Sequence, residues 1–168
     1  MIKSKIRYEL GQINMGIATA MATIFIFVDF AVWSAVGSPV YILRFISGRI
    51  PVLPLWAFGL LDFVSFALLG FALGTALGSR CVANEVAKYR GAFYFVIGVT
   101  LNCLHHVLFF SNAAFFIALL VALLMCFFLT VGVVNFSCVS GLSMLASCLG
   151  VLWSFYLMII NLLCFFLL

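Results

Sequence analysis

GAFYFVIGVTLNCLHHVLFFSNAAFFIALLVALLMCFFLTVGVVNFSCVSGLSMLASCLGVLWSFYLMIINLLCFFLL, residues 91–168, contains no Asp, Glu, Lys or Arg. All twelve charged residues of the 168-residue chain lie in its first 90 positions. A run of 78 uncharged, mostly apolar residues has nothing with which to build a water-facing surface. It reads as protein dissolved in lipid. The polar side chains that persist inside it, Asn102, His105, His106 and Asn161, are then the first places to seek function, because polar groups in a bilayer are costly.

The rest of the composition agrees. The chain is 68% hydrophobic and 7% charged, against roughly 25% charged in soluble domains. Apolar runs such as VIGVTLNCLHHVLFF (96–110) and FFIALLVALLMCFFLTVGVV (115–134) are unbroken, whereas barrel strands alternate in polarity over ~10 residues. The expectation is an all-α integral membrane protein, a five-transmembrane-helix bundle forming one membrane domain over residues 1–168. The expected spans are 13–36, 54–79, 92–110, 113–135 and 142–168.

The connections carry their own signals. Gly37-Ser38-Pro39 stops the first span. The segment SPVYILRFISGRIPVL (38–53) mixes Arg44 and Arg49 with aromatic and aliphatic residues, which predicts a loop or short helix lying in the interface. Pro54 suits the opening of the second span. Arg80 to Arg90 reads as a polar connector with Glu85 and Lys88, and Ser111-Asn112 as a very tight turn. Lys3, Lys5 and Arg7 precede an apolar run too long for a signal-peptide core, so the first span is expected to stay in place. Counting Lys and Arg puts the N-terminus and the 80–90 connector on the cytoplasmic side, and the 37–53 loop and the C-terminus on the opposite one.

Six cysteines are scattered without CxxC spacing, which argues against a metal centre or a disulfide framework. The basic residues sit at helix ends, so no nucleic-acid surface is expected. Gly70, Gly74 and Gly78 recur every fourth residue, a spacing that lets helix backbones approach. Packing within the bundle is the favoured use of that face, and a homodimer seam the other. Gly91 and Gly98 offer a second contact face.

Depth makes the polar residues more informative. At ~1.5 Å per residue, Asp29 lies roughly 10 Å before the outer end of its span, Asp62 roughly 12 Å below Pro54, His105 roughly 8 Å and Asn161 roughly 10 Å from theirs. Groups from four spans thus share one layer in the outer half of the bilayer. Asn102, His105, His106 and Phe109 cover one broad helical face at i, i+3, i+4 and i+7. Trp33 is one turn beyond Asp29, Ser65 is near Asp62, and Trp153 and Tyr156 precede Asn161. An aromatic chamber with a few polar anchors is the usual make-up of a small-ligand site. Other uses of the same layer stay open: structural pairing of Asp29, Asp62, the histidines and Arg44, one histidine as an axial haem ligand, or a proton relay through Asp29, Asp62 and His105. Adjacent histidines point ~100° apart on a helix, so the pair cannot ligate a single ion. No Gly-x-Ser-x-Gly, Walker or HExxH pattern occurs, and no enzyme activity is expected.

Leu101-Asn102-Cys103-Leu104-His105-His106-Val107-Leu108-Phe109-Phe110 resembles the LNxxWxxxFF signature of the TspO/MBR family, the translocator or tryptophan-rich sensory proteins. Pro54-Leu55 is similar to that family's proline-led second helix. Gly150-Val151-Leu152 followed by Tyr156-Leu157 is similar to its PYLxW segment, and the long first and very short third loops agree. His105 stands where the family has Trp, Phe155 where it has Pro and Ile159 where it has Trp, and its WxPP stretch is reduced to Ile50-Pro51-Val52-Leu53-Pro54. The resemblance, over about residues 50–168, implies a five-helix bundle, often a homodimer, with a pocket closed by the first loop. That pocket would take porphyrin or haem, sterol-like lipids or aromatic ligands, as a receptor or transporter with no required cofactor. Asn102, His105, Phe109 and Tyr156 would line it by position; depth adds Asp29, Trp33, Asp62, His106, Trp153 and Asn161. The rival expectations are a small proton-coupled transporter or channel subunit, and a structural membrane partner whose glycine face docks another protein.

Overall fold

A computed structural model of the protein describes residues 11–36, 40–80 and 84–167. Lys3, Lys5 and Arg7, the Gly37-Ser38-Pro39 stop, Cys81 and Leu168 lie outside the described residues. The elements are α1 (Met15–Val36), α2 (Val40–Ser47), α3 (Leu55–Gly78), α4 (Glu85–His106), α5 (Phe115–Ser137) and α6 (Gly141–Leu167), with a π-helical turn, Val107–Ser111, continuing α4. Five of these helices, counting α4 with its π turn, are long and apolar enough to cross a membrane. The protein is a multi-pass, all-α membrane bundle.

Helix is the form these sequences must take in lipid, where each backbone N–H and C=O has to be satisfied within its own segment. Side-chain polarity is turned inside out relative to a soluble protein. Phe27, Phe30, Phe93, Phe127, Leu145, Leu152 and Phe166 are exposed, while Asp29, Asp62, Asn102, His105, His106 and Asn161 are buried. The outer surface is a lipid-contacting one.

Around the bundle, α1 packs on α3, α3 on α6, α6 on α5 and α5 on α4, and α4 closes the ring with thinner contacts to α1 and α3. The seams are set by glycine. A Cβ on Gly70 would come within 2.6 Å of the Met21 carbonyl oxygen, and one on Gly74 within 2.6 Å of the Ala18 Cα. The Gly70-Gly74-Gly78 face is therefore filled by α1 from the same chain, which removes it as a dimer seam. On the other side, Gly98 admits Leu129 and Gly132 admits Phe95, locking α4 to α5.

Two apolar cores result. One gathers Phe66, Leu69, Leu73, Phe95, Met125, Leu129 and Phe136. The other gathers Ile46, Ile50, Phe58, Phe109, Phe110, Trp153, Leu157 and Ile160 beneath α2. Asp29, Asp62, Asn102 and the two histidines interrupt the helices between residues of the first core and residues of the second. The expected interfacial segment is the short helix α2, which buries Leu43 and Ile46 and leaves Phe45 exposed. At its far side the Leu53 N–H donates to the Tyr156 hydroxyl at 3.1 Å, tying the segment to α6.

Several boundaries move. The third span begins at Glu85, not Ala92, so most of the expected 80–90 connector is helix. The helical run Glu85–Ser111 has 27 residues, about 40 Å, which exceeds a hydrocarbon core of ~30 Å. Its polar first turns project into the interface, and Glu85 there suits the helix N-terminus. The first span begins at Met15, the second covers Leu55–Gly78 behind Pro54, the fourth is Phe115–Ser137, and the fifth begins at Gly141. The tight reversal is present: Ala113 takes φ 49°, and the Ala114 N–H donates to the Leu108 carbonyl at 3.0 Å.

Candidate functional site

Asp62 is the centre of the polar layer. Its side chain is fully buried, and it meets nitrogen groups from three other helices of the bundle. Trp33 Nε1 of α1 donates to Oδ2 at 2.8 Å, and Trp153 Nε1 of α6 donates to Oδ1 at 2.6 Å. His106 Nε2 of α4 lies 3.0 Å from Oδ2. A carboxylate in so apolar a setting is tolerable only when its lone pairs are met by donors, and here each donor comes from a different helix.

The hydrogen-bond logic fixes one more proton. His106 Nδ1 lies 2.8 Å from the Asn102 carbonyl oxygen, which can only accept, so Nδ1 carries hydrogen. The 3.0 Å gap between Nε2 and Asp62 Oδ2 then holds a second proton, on one partner or the other. The pair as a whole is neutral in either arrangement, which is the condition for burying it.

His105, the adjacent residue, serves a different neighbour. The two rings are nearly perpendicular, at 88°. His105 Nε2 lies 2.7 Å from Asn161 Nδ2 of α6, and its ring stacks on Phe109 at 5.6 Å. The π turn directly after His106 carries both Phe109 and Phe110 inward. His106 is bonded at both nitrogens and His105 at Nε2, while His105 Nδ1 is buried without a partner. Among the described residues, no three His, Cys, Asp or Glu side chains gather into a metal-holding group.

An aromatic cluster surrounds the Asp62 network. Trp33, Phe58, Phe110, Trp153 and Tyr156 meet with neighbouring centroids 5.0–6.5 Å apart. Tyr156 stacks on Trp153 at 22°, so its hydroxyl connects this cluster to the segment overhead.

Asp29 differs from Asp62. It is 4% exposed, lies beside Asp62 and Trp33, and its Oδ1 has no hydrogen-bond partner. It borders a cavity of about 620 Å³ between α1 and α3, together with Ile26, Phe27, Phe30, Trp33, Leu55, Phe58, Gly59 and Phe63. Phe27 and Phe30 are among the most exposed large hydrophobic side chains of the described residues, so this cavity is a groove open toward lipid. A smaller cavity of about 310 Å³ lies beside α2, bordered by Leu43, Arg44, Ser47 and Val52 to Leu55. Arg44 stands there, and the partners that reach Asp62 are His106 and the two indoles.

The sequence-derived residues thus come together in one layer, but not around one open chamber. Asp62, His106, Trp33 and Trp153 form the closed network; His105, Asn161 and Phe109 pack behind it; Tyr156 reaches up toward Leu53. Of these residues only Asp29 and Trp33 border the larger cavity. Asn102 lends its carbonyl to His106, while its buried side-chain amide is without a partner, as are Ser65 Oγ and Asn161 Oδ1. Phe58 and Phe110 are the members that sequence reading missed. Phe58 is one turn before Asp62 and Phe110 one turn after His106, so i±4 spacing from the ionisable residues points to both. Searches against protein-family models, curated proteins and solved structures found no match.

Proposed function

We propose that this protein is a TspO-like membrane receptor or transporter that takes a hydrophobic ligand from the bilayer into the α1–α3 groove. The supporting observation is a lipid-facing cavity of about 620 Å³ whose wall is aromatic and aliphatic except for one buried carboxylate, Asp29. Pockets of that size with few polar anchors suit ligands of small-molecule dimensions. A rigid sterol-like body matches this wall. Porphyrin propionates would meet Asp29 as like charge, which ranks a porphyrin second. The N-terminus is assigned to the cytoplasmic side by the excess of Lys and Arg in the tail and in residues 80–90.

The test uses purified full-length protein in phosphatidylcholine nanodiscs, titrated with the fluorescent sterol dehydroergosterol and with protoporphyrin IX. In a Trp56→Phe background, energy transfer from Trp33 and Trp153 to the sterol is expected, and Gly59→Phe, which narrows the groove, should weaken it. Equal transfer in wild type and Gly59→Phe for both ligands would sink this reading.

A second reading rests on the proton held between His106 and Asp62 beside Asp29: a small proton-coupled transporter. Proton-driven uptake in proteoliposomes, lost in Asp62→Asn, would favour it.

A further inference from the structure

We infer that the ligand of the α1–α3 groove is a hydrophobic amine whose ammonium group pairs with Asp29. The inference rests on the ligand-binding reading above and names its ligand class.

The polar layer contains two acids, and they are unequally partnered. Asp62 is answered by Trp33, Trp153 and His106. Asp29 is met less fully: its Oδ1 is buried without a partner, and the described groups that act on it are the neighbouring acid Asp62, His106 and the Trp33 indole, with no Lys or Arg among them. Arg44 borders the separate cavity beside α2. Among the described residues Asp29 thus has an unmet oxygen and no ammonium or guanidinium beside it, at a point bordering a groove that lipid-soluble molecules can enter.

The groove wall narrows the chemistry further. Phe27, Phe30, Trp33, Phe58 and Phe63 border it with Asp29. Aromatic faces accept a cation as well as a hydrocarbon body. An acyl chain or a sterane skeleton alone would fill the space and leave Oδ1 unanswered, which is the costly arrangement. A carboxylate or phosphate would add repulsion. An ammonium on an apolar skeleton satisfies both the acid and the wall.

Gly59 supplies a clean control. A Cβ built there meets nothing within 4 Å, so a larger side chain starts into the open space of the groove it borders.

The experiment compares three probes that differ in one group: chain-nitroxide-labelled stearylamine, the matching fatty alcohol and the matching fatty acid. Each is titrated into full-length protein in phosphatidylcholine nanodiscs, with concentration referred to the membrane-bound fraction. Trp56, which is 73% exposed, is replaced by Phe so that quenching reports the two indoles held by Asp62, Trp33 and Trp153. The amine is expected to quench at about tenfold lower concentration than the alcohol or the acid. Asp29→Asn should erase that preference and leave the alcohol unchanged, whereas Asp29→Glu should retain most of it. Gly59→Phe should weaken all three probes. Equal quenching by amine and alcohol in wild type, or a preference that survives Asp29→Asn, overturns the amine assignment; the groove itself still stands if Gly59→Phe weakens both. If Gly59→Phe moves none of the probes, the groove reading falls as well. The wild-type comparison decides the amine question even where a charge variant does not fold.

Discussion

The Trp153 indole donates to Asp62 Oδ1 at 2.6 Å, joining residues 91 positions apart and fastening α6 to α3 through a buried acid. Because Trp33 and His106 approach the other oxygen, Asp62 acts as a single fastening for four helices.

Asp62→Asn keeps the shape and removes one accepting oxygen. An amide has one accepting oxygen, so its NH₂ end must face at least one N–H donor. The substitution is expected to cost about 2–4 kcal/mol. A lower thermal midpoint in detergent, with red-shifted emission from Trp33 and Trp153, is the expected readout. An unchanged midpoint would show that the network contributes little.

The glycine seam makes a contrast within one helix. Gly74→Ala must push on the Ala18 Cα, which lies 2.6 Å from the added carbon, and should cost about 1–3 kcal/mol. Gly59→Ala meets open space and should be neutral or stabilising by up to ~1 kcal/mol, through helix propensity. Paired thermal melts would check both; equal effects would contradict the seam.

His105 and Asn161 are suited to a double-mutant cycle. The 2.7 Å contact between them is buried, and either partner left alone exposes an unsatisfied polar group to hydrocarbon. His105→Phe and Asn161→Leu should each destabilise, and the double variant should recover about 0.5–2 kcal/mol of the summed loss. Strict additivity would show that the contact carries no coupling.

Cys138 tests orientation. It is an exposed thiol at the turn after α5, at the same end as Asn84, whose amide donates to the Cys138 carbonyl at 2.5 Å. With Cys138 as the one remaining cysteine, a membrane-impermeant maleimide should label intact cells only after permeabilisation. Labelling without permeabilisation would reverse the proposed topology.

The charge-free stretch from Gly91 made the helices legible, since apolar residues in lipid have few other forms. The polar layer was legible for the same reason: Asp29, Asp62, Asn102, His105, His106 and Asn161 had to turn inward. Partner choice was not. Helical spacing says which side of α4 His106 occupies, but not that Trp33 and Trp153, from helices far apart in the chain, meet it at one carboxylate. The start of α4 was misread because Glu85, Lys88 and Arg90 look like connector residues, although a helix longer than the hydrocarbon layer carries its charge on its own first turns. The lipid-facing groove was missed too, because depth along each helix carries no information about which side of α1 and α3 stays open.

The seam between α1 and α3 has a mechanical consequence. Along Gly70, Gly74 and Gly78 the backbones of α3 and α1 come together, with Met21 and Phe25 of α1 seated over the glycines. The hydrogen bonds that tie the first span to α3 lie at its two ends. At one, the Asn14 N–H donates to the Gly78 carbonyl and the Arg80 N–H to the Gln12 carbonyl, each at 3.0 Å; at the other, Trp33 is held by Asp62. The first helix is thus strung like a cord between two pegs, and loosening either peg would change the width of the groove without unpacking the bundle.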